Sequence, residues 1–329
     1  MPINDVRNTV LAIANKNNYG YISPQDFNLY AQQSQMDIFE DYFYQYNTQL
    51  TKENQRMSGT GYADITKGLI EVIDYFSVTR PLSLSTQPPT LSNIYYLPSQ
   101  ATTGSDYYLM NKVLVYTTLL STGTTTGTVG GNDSIIDSNA TFITSGVKIG
   151  STVSLVKNGI TQYVTVTSIF SETKLVTTDS IYTTVVWDGI GISYNIYNST
   201  AIQEAEKVTH SKITMLNNST LTAPSIGYPA YIEEGLILTA FPDNINNMGR
   251  VFSQYIRYPY TPKWTYISIT LGEPVFDASQ ADYQDFELPL SDEPALIAKI
   301  CKYVGLEIRE ADVYAFGTEA LANEQQTQG

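Results

Sequence analysis

The feature that most constrains this chain is a long segment of helical periodicity in which the aromatic residues do not keep to one side. Residues 23–50 read SPQDFNLYAQQSQMDIFEDYFYQYNTQL. Ser23 is a favourable N-cap, Pro24 suits the first helical turn, and Asp26 follows the cap by three residues. The segment is therefore predicted to form one helix.

The large side chains of this helix fall on two neighbouring stripes, whereas a surface helix usually has one apolar stripe about 100° wide. The first stripe holds Phe27, Tyr30, Ile38 and Tyr42, and the second holds Leu29, Met36, Phe39, Phe43, Tyr46 and Leu50. Two interpretations stay open: burial on most sides within one domain, or one stripe packed on a neighbouring subunit. Tyr suits an interface because it offers a large area, few rotors and a polar tip. The candidate subunit-interface residues are Phe39, Tyr42, Phe43 and Tyr46.

The composition indicates a folded chain with an unusually uncharged surface. The 329 residues include 42% apolar residues and 26 Tyr, which excludes a disordered chain, and the length allows two domains. Charged residues make up 15%, below the usual quarter or so. Uncharged polar residues fill the gap, and this composition suits β structure and extended packing surfaces.

Charge and rare residues exclude several functional classes. The net charge is -14, from 18 basic and 32 acidic residues without a basic run, so the chain is not expected to grip nucleic acid through phosphates. One Cys and one His exclude an intrachain disulfide and a Cys/His zinc cage. No apolar run reaches about 18 residues, and MPINDVRNTV lacks signal-peptide features, so neither a membrane span nor a secretion signal is expected.

Three compositional blocks run along the chain. Residues 1–112 are predicted to form helices and then extended strands, residues 113–200 an inserted β-domain, and residues 201–329 strands and C-terminal helices that complete the first domain. The segment ADITKGLIEVIDYFSV fits a helix or a strand, and the segment TAIQEAEKVTHSKITML has a helical pattern. The predicted class is α+β, a helical bundle built from the N- and C-terminal segments with an inserted small all-β barrel or sandwich.

The clearest local pattern in the β block is STVSLVKNGITQYVTVTSIF. Val153, Leu155, Val164 and Val166 alternate with polar residues, and Asn158-Gly159 favours a type I′ turn. A hairpin is therefore predicted here. Near the C-terminus, Ser291 or Asp292 is predicted to cap a helix with an apolar stripe that Gly305 ends; the stripe is Leu296, Ile297, Ile300, Cys301 and Val304.

The motifs of common enzymes are missing from the sequence. It contains neither G-x-S-x-G nor a phosphate-binding G-x-x-x-x-G-K-[ST] loop. His210 has no catalytic partner at helical spacing, and Cys301 lies on an apolar stripe, where it behaves as a small hydrophobe. No catalytic, cofactor-binding or metal-binding residue is predicted, and the chain is not expected to be an enzyme.

Beside these patterns, the residues resemble a known family. VRNTVLAIANKNNYGYISPQDFNLYAQQSQMDIFEDYFYQYN resembles the opening of structural proteins of crAss-like tailed bacteriophages, in which a short helix, a turn and a Gln- and Tyr-rich helix recur. The block from DSNATFITSGVKIG to YNIY is similar to β-domains inserted in phage neck and tail proteins. YPAYIEEGLILTAFPDNI and YIRYPYTPKWTYI are similar to later strands of the same family.

This resemblance implies a head-to-tail connector located in the virion neck and assembled in the host cytoplasm. Such a protein forms a homo-oligomeric ring of about twelve copies below the portal protein and beside other neck and tail rings. Genomic DNA leaves through its channel without sequence-specific binding, and the acidic balance suits a channel wall that repels phosphate. The resemblance implies neither enzyme activity nor a cofactor.

Two alternatives stay open from the residues. A tail or receptor-binding protein could bind host glycan through the β-domain, where Trp187 is the only Trp able to stack on a sugar. A carboxylate-pair hydrolase could use the acids of EDYFYQY and QADYQDFEL, which stand beside aromatic residues.

Overall fold

The computed structural model describes residues 1–14, 22–54, 65–85, 93–127, 134–157, 160–178, 190–245, 249–268, 274–308 and 311–327. These residues combine helices with several β-sheets, so the predicted α+β class is confirmed. The chain divides into two compact units. The helical unit consists of Met1–Phe76 and Pro259–Gly329, and the strand unit consists of Ser77–Tyr258.

Most helical residues of the described chain lie toward its two ends, and most strands lie between them. The helices are α1 (Ile3–Ala14), α2 (Pro24–Asn54), α3 (Ile65–Tyr75), α4 (Gln100–Thr103), α5 (His210–Asn217), α6 (Glu293–Ile308) and α7 (Ala311–Thr327), with a 3-10 turn at Leu290–Asp292. The strands are β1 (Ser77–Pro81), β2 (Ile94–Tyr96), β3 (Tyr107–Tyr116), β4 (Leu119–Thr124), β5 (Ser134–Ile136), β6 (Thr152–Lys157), β7 (Ile160–Ser171), β8 (Lys174–Thr177), β9 (Ser193–Tyr197), β10 (Ile202–Glu204), β11 (Glu206–Lys207), β12 (Ala230–Glu234), β13 (Ile237–Phe241), β14 (Val251–Arg257), β15 (Tyr266–Ser268) and β16 (Pro274–Phe276).

The predicted long helix is confirmed, and it continues to Asn54 as α2. The backbone N–H of Asp26 donates to the Ser23 hydroxyl at 3.1 Å, and that hydroxyl donates to the Asp26 carboxylate, so Ser23 is the N-cap as predicted. The segment that fitted either a helix or a strand forms α3. It is helical because Leu69, Val72 and Ile73 recur on one side and pack toward α2.

Trp264 ties together distant parts of the helical unit. It is 2% exposed, and its backbone exchanges two hydrogen bonds with the Asn28 side chain, at 2.8 and 3.1 Å. Its indole N–H donates to Asn4 at 3.1 Å, and the Arg7 guanidinium lies 3.9 Å from its ring centroid. Helices α1 and α2 are therefore fixed to a segment more than 200 residues later in the sequence.

Gly305 does not end its helix, contrary to the prediction, because α6 runs on to Ile308. A Cβ at this position would lie 2.6 Å from the backbone nitrogen of Tyr314 on α7. The matching Gly317 on α7 approaches the carbonyl oxygen of Ala298, which would be 2.7 Å from an added Cβ. The two glycines allow the backbones of α6 and α7 to pack in direct contact.

In the strand unit, two four-stranded sheets share one core. Their strand orders are β1-β14-β3-β10 and β11-β12-β13-β2. Strand β10 leads directly into β11, and the chain after β1 pairs with β2 through a 2.9 Å bond from the Tyr96 N–H to the Ser83 carbonyl. The enclosed core consists of Leu82, Tyr95, Leu97, Val113, Val115, Ala205, Tyr231, Leu238, Ala240, Ile245 and Val251.

A six-stranded sheet of order β4-β9-β6-β7-β8-β5 lies between β3 and β10 in the sequence. Its two outer strands meet, because the backbone N–H of Thr126 donates to the Ile136 carbonyl at 2.8 Å and that of Gly127 donates to the same oxygen at 3.4 Å. The sheet thereby closes into a small barrel. Its interior is filled by Ile135, Phe142, Val147, Val153, Leu155, Val164, Val166, Leu175, Ile192, Tyr194 and Ile196.

The predicted hairpin of the β block is confirmed by the antiparallel pair β6–β7, in which Val153 faces Val164 and Lys157 faces Ile160. All four alternating residues that defined it lie in the barrel interior. Its turn at Asn158-Gly159 lies outside the described residues.

The closed barrel is held against the sheets from which it projects. Gly249 has φ +76°, and a Cβ there would lie 2.8 Å from the Cβ of Ser154 on β6. The buried Arg250 donates to the carbonyls of Tyr116 and Thr117 at 2.9 and 3.1 Å, at the point where the chain enters the barrel. Together these contacts make a packed joint without a spacer.

The unit boundaries differ from the predicted domain boundaries. The predicted block 113–200 contains strands β4 to β9, but residues 113–116 belong to β3, which pairs with β14. The extended segments before and after this block lie in the strand unit rather than completing the first domain. Within TAIQEAEKVTHSKITML only His210–Asn217 is helical, because Ile202–Glu204 pairs with β3.

Candidate assembly surface

The first half of α2 buries a single stripe that differs from either predicted stripe. It takes residues from both and adds two polar ones between them, at spacings of three and four residues. The buried residues are Phe27, Ala31, Ser34, Gln35, Ile38, Phe39 and Tyr42. The sequence pattern missed this stripe because Ser34 and Gln35 are polar, and a search for apolar periodicity passes over them.

Gln35 lies in this interior because it completes the hydrogen bonding of another segment. Its amide nitrogen donates to the Tyr260 carbonyl at 2.9 Å, and its amide oxygen accepts from the Glu287 backbone N–H at 3.1 Å. Both partners belong to the segment that leads to α6. A buried polar side chain with satisfied partners costs little and fixes one geometry.

A second side of α2 packs on α6 through polar and aromatic contacts. The rings of Tyr30 and Tyr303 stack with centroids 5.8 Å apart, and the Tyr303 hydroxyl donates to Asp37 at 2.9 Å. Burial raises the pKa of Tyr303, and the Asp37 carboxylate raises it further. Lys299 pairs with Asp41 at 2.8 Å. One of the predicted stripes therefore meets a partner inside the same chain.

The second half of α2 differs, and together with α3 it forms what we call the arm, residues 43–54 and 65–75. Among the arm residues whose exposure is described, 43–52 and 67–75, none is buried. The arm is nevertheless rich in large apolar side chains, namely Phe43, Tyr44, Tyr46, Leu50, Leu69, Ile70, Val72, Ile73 and Tyr75. Tyr44 is 74% exposed and Tyr75 is 63% exposed.

The arm lacks the burial that normally stabilises two helices. Helix α3 has 11 residues, and isolated helices shorter than about 12–15 residues are marginal in water. An aromatic side chain buries roughly 150–250 Å² when it is covered completely. The partly exposed side chains of the arm therefore offer on the order of 800 Å², the area that each partner contributes to a standard interface.

The four predicted interface residues divide between the interior and the arm. Phe39 has no exposed surface, and its ring contacts Phe43 and Phe76 edge-on at centroid distances of 5.2 and 5.1 Å. Tyr42 is 6% exposed, and its hydroxyl donates to Asp292. Neither presents an open face to a neighbour. Phe43 and Tyr46 are half-buried on the arm, and for them the interface stays a prediction.

Helix α7 exposes two aromatic side chains. Its inner side, with Val313 and Gly317, is buried toward α6. Phe316 is 45% exposed and Tyr314 is 37% exposed, and they lie on opposite flanks of this buried side because residues two apart point to different sides of a helix. Its sequence contains three acidic residues and no basic one.

Apolar residues are also exposed on the segment that joins β11 to β12. Leu221 is 94% exposed, Tyr228 82% and Met215 73%. The segment is ordered by its own hydrogen bonds, including the pair between the backbones of Ser225 and Tyr228 at 3.0 and 3.1 Å. Large apolar side chains held in water by an ordered loop are typical of a contact surface.

Almost all of the net charge of the chain lies in the helical unit. This unit contains 21 acidic and 9 basic residues, a net charge of -12, whereas the strand unit contains 11 and 9, a net charge of -2. The sequence across the arm departs from its unit, because residues 43–75 contain four acidic and three basic residues. This stretch therefore has a net charge of only -1.

The residues considered for chemistry have structural partners. In QADYQDFEL, Asp282 pairs with Lys263, Asp285 accepts from the Ile3 N–H at 2.8 Å, and Glu287 accepts from the Tyr260 N–H at 2.7 Å. These acids join segments of the fold.

The single imidazole is exposed, whereas the single thiol is buried. The exposed His210 lies 3.0 Å from Glu234. Cys301 is buried, and burial raises its pKa to about 12. Among the described residues, no group of three or more His, Cys, Asp or Glu is placed to hold a metal ion.

No family model matches the chain, and no curated protein sequence matches it. None of the helices in the described parts of the chain is long and apolar enough to cross a membrane.

Proposed function

We propose that this chain is a structural subunit that assembles into a ring, and that the ring is a head-to-tail connector in the neck of a tailed bacteriophage. The observation that carries the proposal is the arm, where large apolar side chains are half-buried or exposed and none of those described is fully buried. A subunit of a closed ring needs such surfaces, because each copy contacts two neighbours through heterologous contacts.

The phage assignment comes from the resemblance of the N-terminal helices, the β block and the later strands to crAss-like phage structural proteins. On this assignment about twelve copies lie below the portal protein and join capsid to tail. Genomic DNA passes through the channel without sequence-specific binding. The helical unit is the part suited to line that channel, because it carries a net charge of -12 and DNA would be repelled rather than held.

The proposal includes an architecture finer than the α+β class. The helices at the two chain ends form a bundle, and the β block is a domain inserted into the rest. The order of the elements supports this, since both ends of the chain contribute to the helical unit and the six-stranded barrel starts and finishes between β3 and β10. In a ring, such a barrel is free to contact the next layer of the neck.

Native mass spectrometry and negative-stain imaging of the full chain test the function, alone and mixed with the portal protein of the same phage. The expected result is a ring of about twelve copies on the portal and no assembly with an unrelated portal. A chain that stays monomeric in the presence of its portal contradicts the proposal. Specific binding of the isolated chain to a host glycan would favour a receptor-binding protein instead.

A further inference from the structure

We infer that Arg250 fixes the direction in which the six-stranded barrel projects from the two four-stranded sheets. This inference goes beyond the proposed function, because it concerns a single chain whether or not copies assemble. Two parts of one chain move relative to each other by default unless the contact between them is large and apolar. The barrel and both sheets belong to the strand unit, and the contacts between them oppose such motion.

The first argument is the burial of the Arg250 guanidinium where the chain enters the barrel. Arg250 is 6% exposed, and its Nε donates to the Tyr116 carbonyl at 2.9 Å. The two terminal nitrogens donate to the carbonyls of Thr117 and Asn244 at 3.1 and 3.4 Å. Within the described parts of the chain, no carboxylate forms a salt bridge with this cation. Its hydrogen-bond partners are therefore backbone carbonyls, whose positions depend on the path of the chain.

This arrangement favours one path of the chain over others. The planar guanidinium donates in fixed directions, so its bonds are satisfied by one arrangement of the carbonyls. Thr117 lies between β3 and β4, on the link that leads into the barrel. If this link bent, a buried cation and a carbonyl would lose each other, and an unpaired buried charge is strongly unfavourable.

The two links between the barrel and the sheets are also bonded to each other. One link precedes β4 and the other follows β9. The Thr117 N–H donates to the Ala201 carbonyl at 2.9 Å, and the Asn198 N–H donates to the Thr118 carbonyl at 3.1 Å. Since Arg250 binds the Thr117 carbonyl, it holds both links at their base.

An aromatic contact beside Arg250 joins the same two parts. The Tyr116 ring, on β3, stacks on Phe252 of β14 at 4.7 Å and on Tyr197 of β9 at 5.4 Å between centroids. Its hydroxyl forms a 3.0 Å hydrogen bond with the hydroxyl of Thr152 on β6. Strands β3 and β14 belong to a four-stranded sheet, whereas β6 and β9 belong to the barrel. The Tyr116 ring therefore contacts both parts, and Arg250 holds the carbonyl of the same residue.

A distance distribution within one chain tests the inference. Nitroxide labels on Ile149→Cys in the barrel and Leu236→Cys between β12 and β13 occupy positions that are 71% and 77% exposed. Cys301 is buried and should stay unlabelled. The labelled chain is diluted with unlabelled wild type, so that double electron–electron resonance reports distances within one chain. We expect a single narrow distribution.

Arg250→Met should broaden this distribution, because it fills a similar volume but leaves the carbonyls of Tyr116 and Thr117 without their donors. Near-ultraviolet circular dichroism should stay close to that of wild type, which separates a loss of direction from a loss of folding. Lys112→Met, which removes a half-exposed cation of β3, is the matched control and should keep the narrow distribution.

A broad distribution in wild type overturns the inference, and so does an Arg250→Met distribution as narrow as that of wild type. If Arg250→Met does not fold, Arg250→Lys decides, because it keeps the charge and removes the planar fork. The Arg250→Lys distribution should then be broader than wild type, and an equal width overturns the inference. None of these results depends on assembly, so the portal-mixing experiment decides the proposed function separately.

Discussion

The two halves of α2 show how differently one helix can use similar residues. In the first half the buried stripe includes the polar Ser34 and Gln35, while in the second half Phe43, Tyr44 and Tyr46 are half-buried or exposed. Burial along this helix therefore does not follow the hydrophobicity of the residues. Burial follows how far along α2 the segments after residue 258 extend. These segments contact the first half through Tyr260, Trp264 and α6.

On the proposed ring function, this contrast separates the residues that stabilise the fold from those that join copies. Residues of the first half are expected to determine how stable the helical unit is, and residues of the arm to determine whether copies associate. Substitutions in the first half should therefore change the free energy of unfolding, and substitutions in the arm should change association. Within the helical unit, the loss of stability should be largest when a buried ring is removed. It should be smaller when a side chain is added at a tight contact, smaller again when a buried amide is lost, and smallest when a surface charge is removed.

Phe39→Ala should destabilise the helical unit by about 3–5 kcal/mol, because it removes a fully buried ring and leaves a cavity. The measurement is denaturant unfolding followed by thiol labelling of Cys301, which is protected while α6 stays packed. The matched control is Tyr44→Ala on the arm, expected within about 0.5 kcal/mol of wild type. Equal destabilisation by both variants would remove the distinction between the halves.

Gly317→Ala should destabilise α7 by about 3 kcal/mol, at the upper end of overpacking costs. An added Cβ would lie 2.7 Å from the Ala298 carbonyl oxygen and 2.9 Å from the backbone nitrogen of Lys302. Because both are backbone atoms, they cannot rotate away. Loss of helical circular dichroism on heating measures the effect. Ala322→Ser, on the exposed side of the same helix, should leave the midpoint unchanged. A neutral Gly317→Ala would mean that α6 and α7 separate more easily than the contact implies.

Gln35→Leu should cost about 1–2 kcal/mol, because the Tyr260 carbonyl and the Glu287 N–H would lose their partner. Gln32→Leu, at an exposed position of the same helix, is the control and should be near neutral. Chemical denaturation of both variants measures the difference. An increase in stability of Gln35→Leu would show that water replaces the amide at no cost.

Asp282→Asn should have the smallest effect, and the effect should depend on pH. The hydrogen bond from Lys263 lowers the pKa of the Asp282 carboxyl, so its stabilisation is present above the ordinary Asp pKa of about 4 and is lost as the pH falls through the lowered value. The difference in melting temperature between wild type and variant should shrink toward zero between about pH 4 and pH 2. Glu40→Gln, which removes an exposed carboxylate of α2, is the control. A difference that persists at low pH would contradict this origin.

Local patterns predicted the elements that depend on neighbouring residues. The Ser23 cap, the α2 helix and the β6–β7 hairpin follow from short-range rules of capping and alternation. The burial of Gln35 could not be predicted from such rules, because its hydrogen-bond partners are 225 and 252 residues away in the sequence. The function of Gly305 was misread for a similar reason, since the backbone that requires it belongs to another helix.

The candidate surface was predictable only in part. The excess of aromatic residues on residues 23–50 indicated more apolar area than one stripe can bury, and the arm contains two of the four predicted residues, Phe43 and Tyr46. The sequence could not separate them from Phe39 and Tyr42, because that division depends on where the later segments end along the helix.

The closure of the six-stranded barrel bears on how such a protein survives before it assembles. In the proposed ring, many copies are present together before assembly, and an open strand edge can then pair with a strand of another copy without limit. The bonds from Thr126 and Gly127 to the Ile136 carbonyl join the two edges at one end, where such growth could otherwise begin. On the proposed function, association between copies is then left to helical surfaces, where it can be reversible and finite in size.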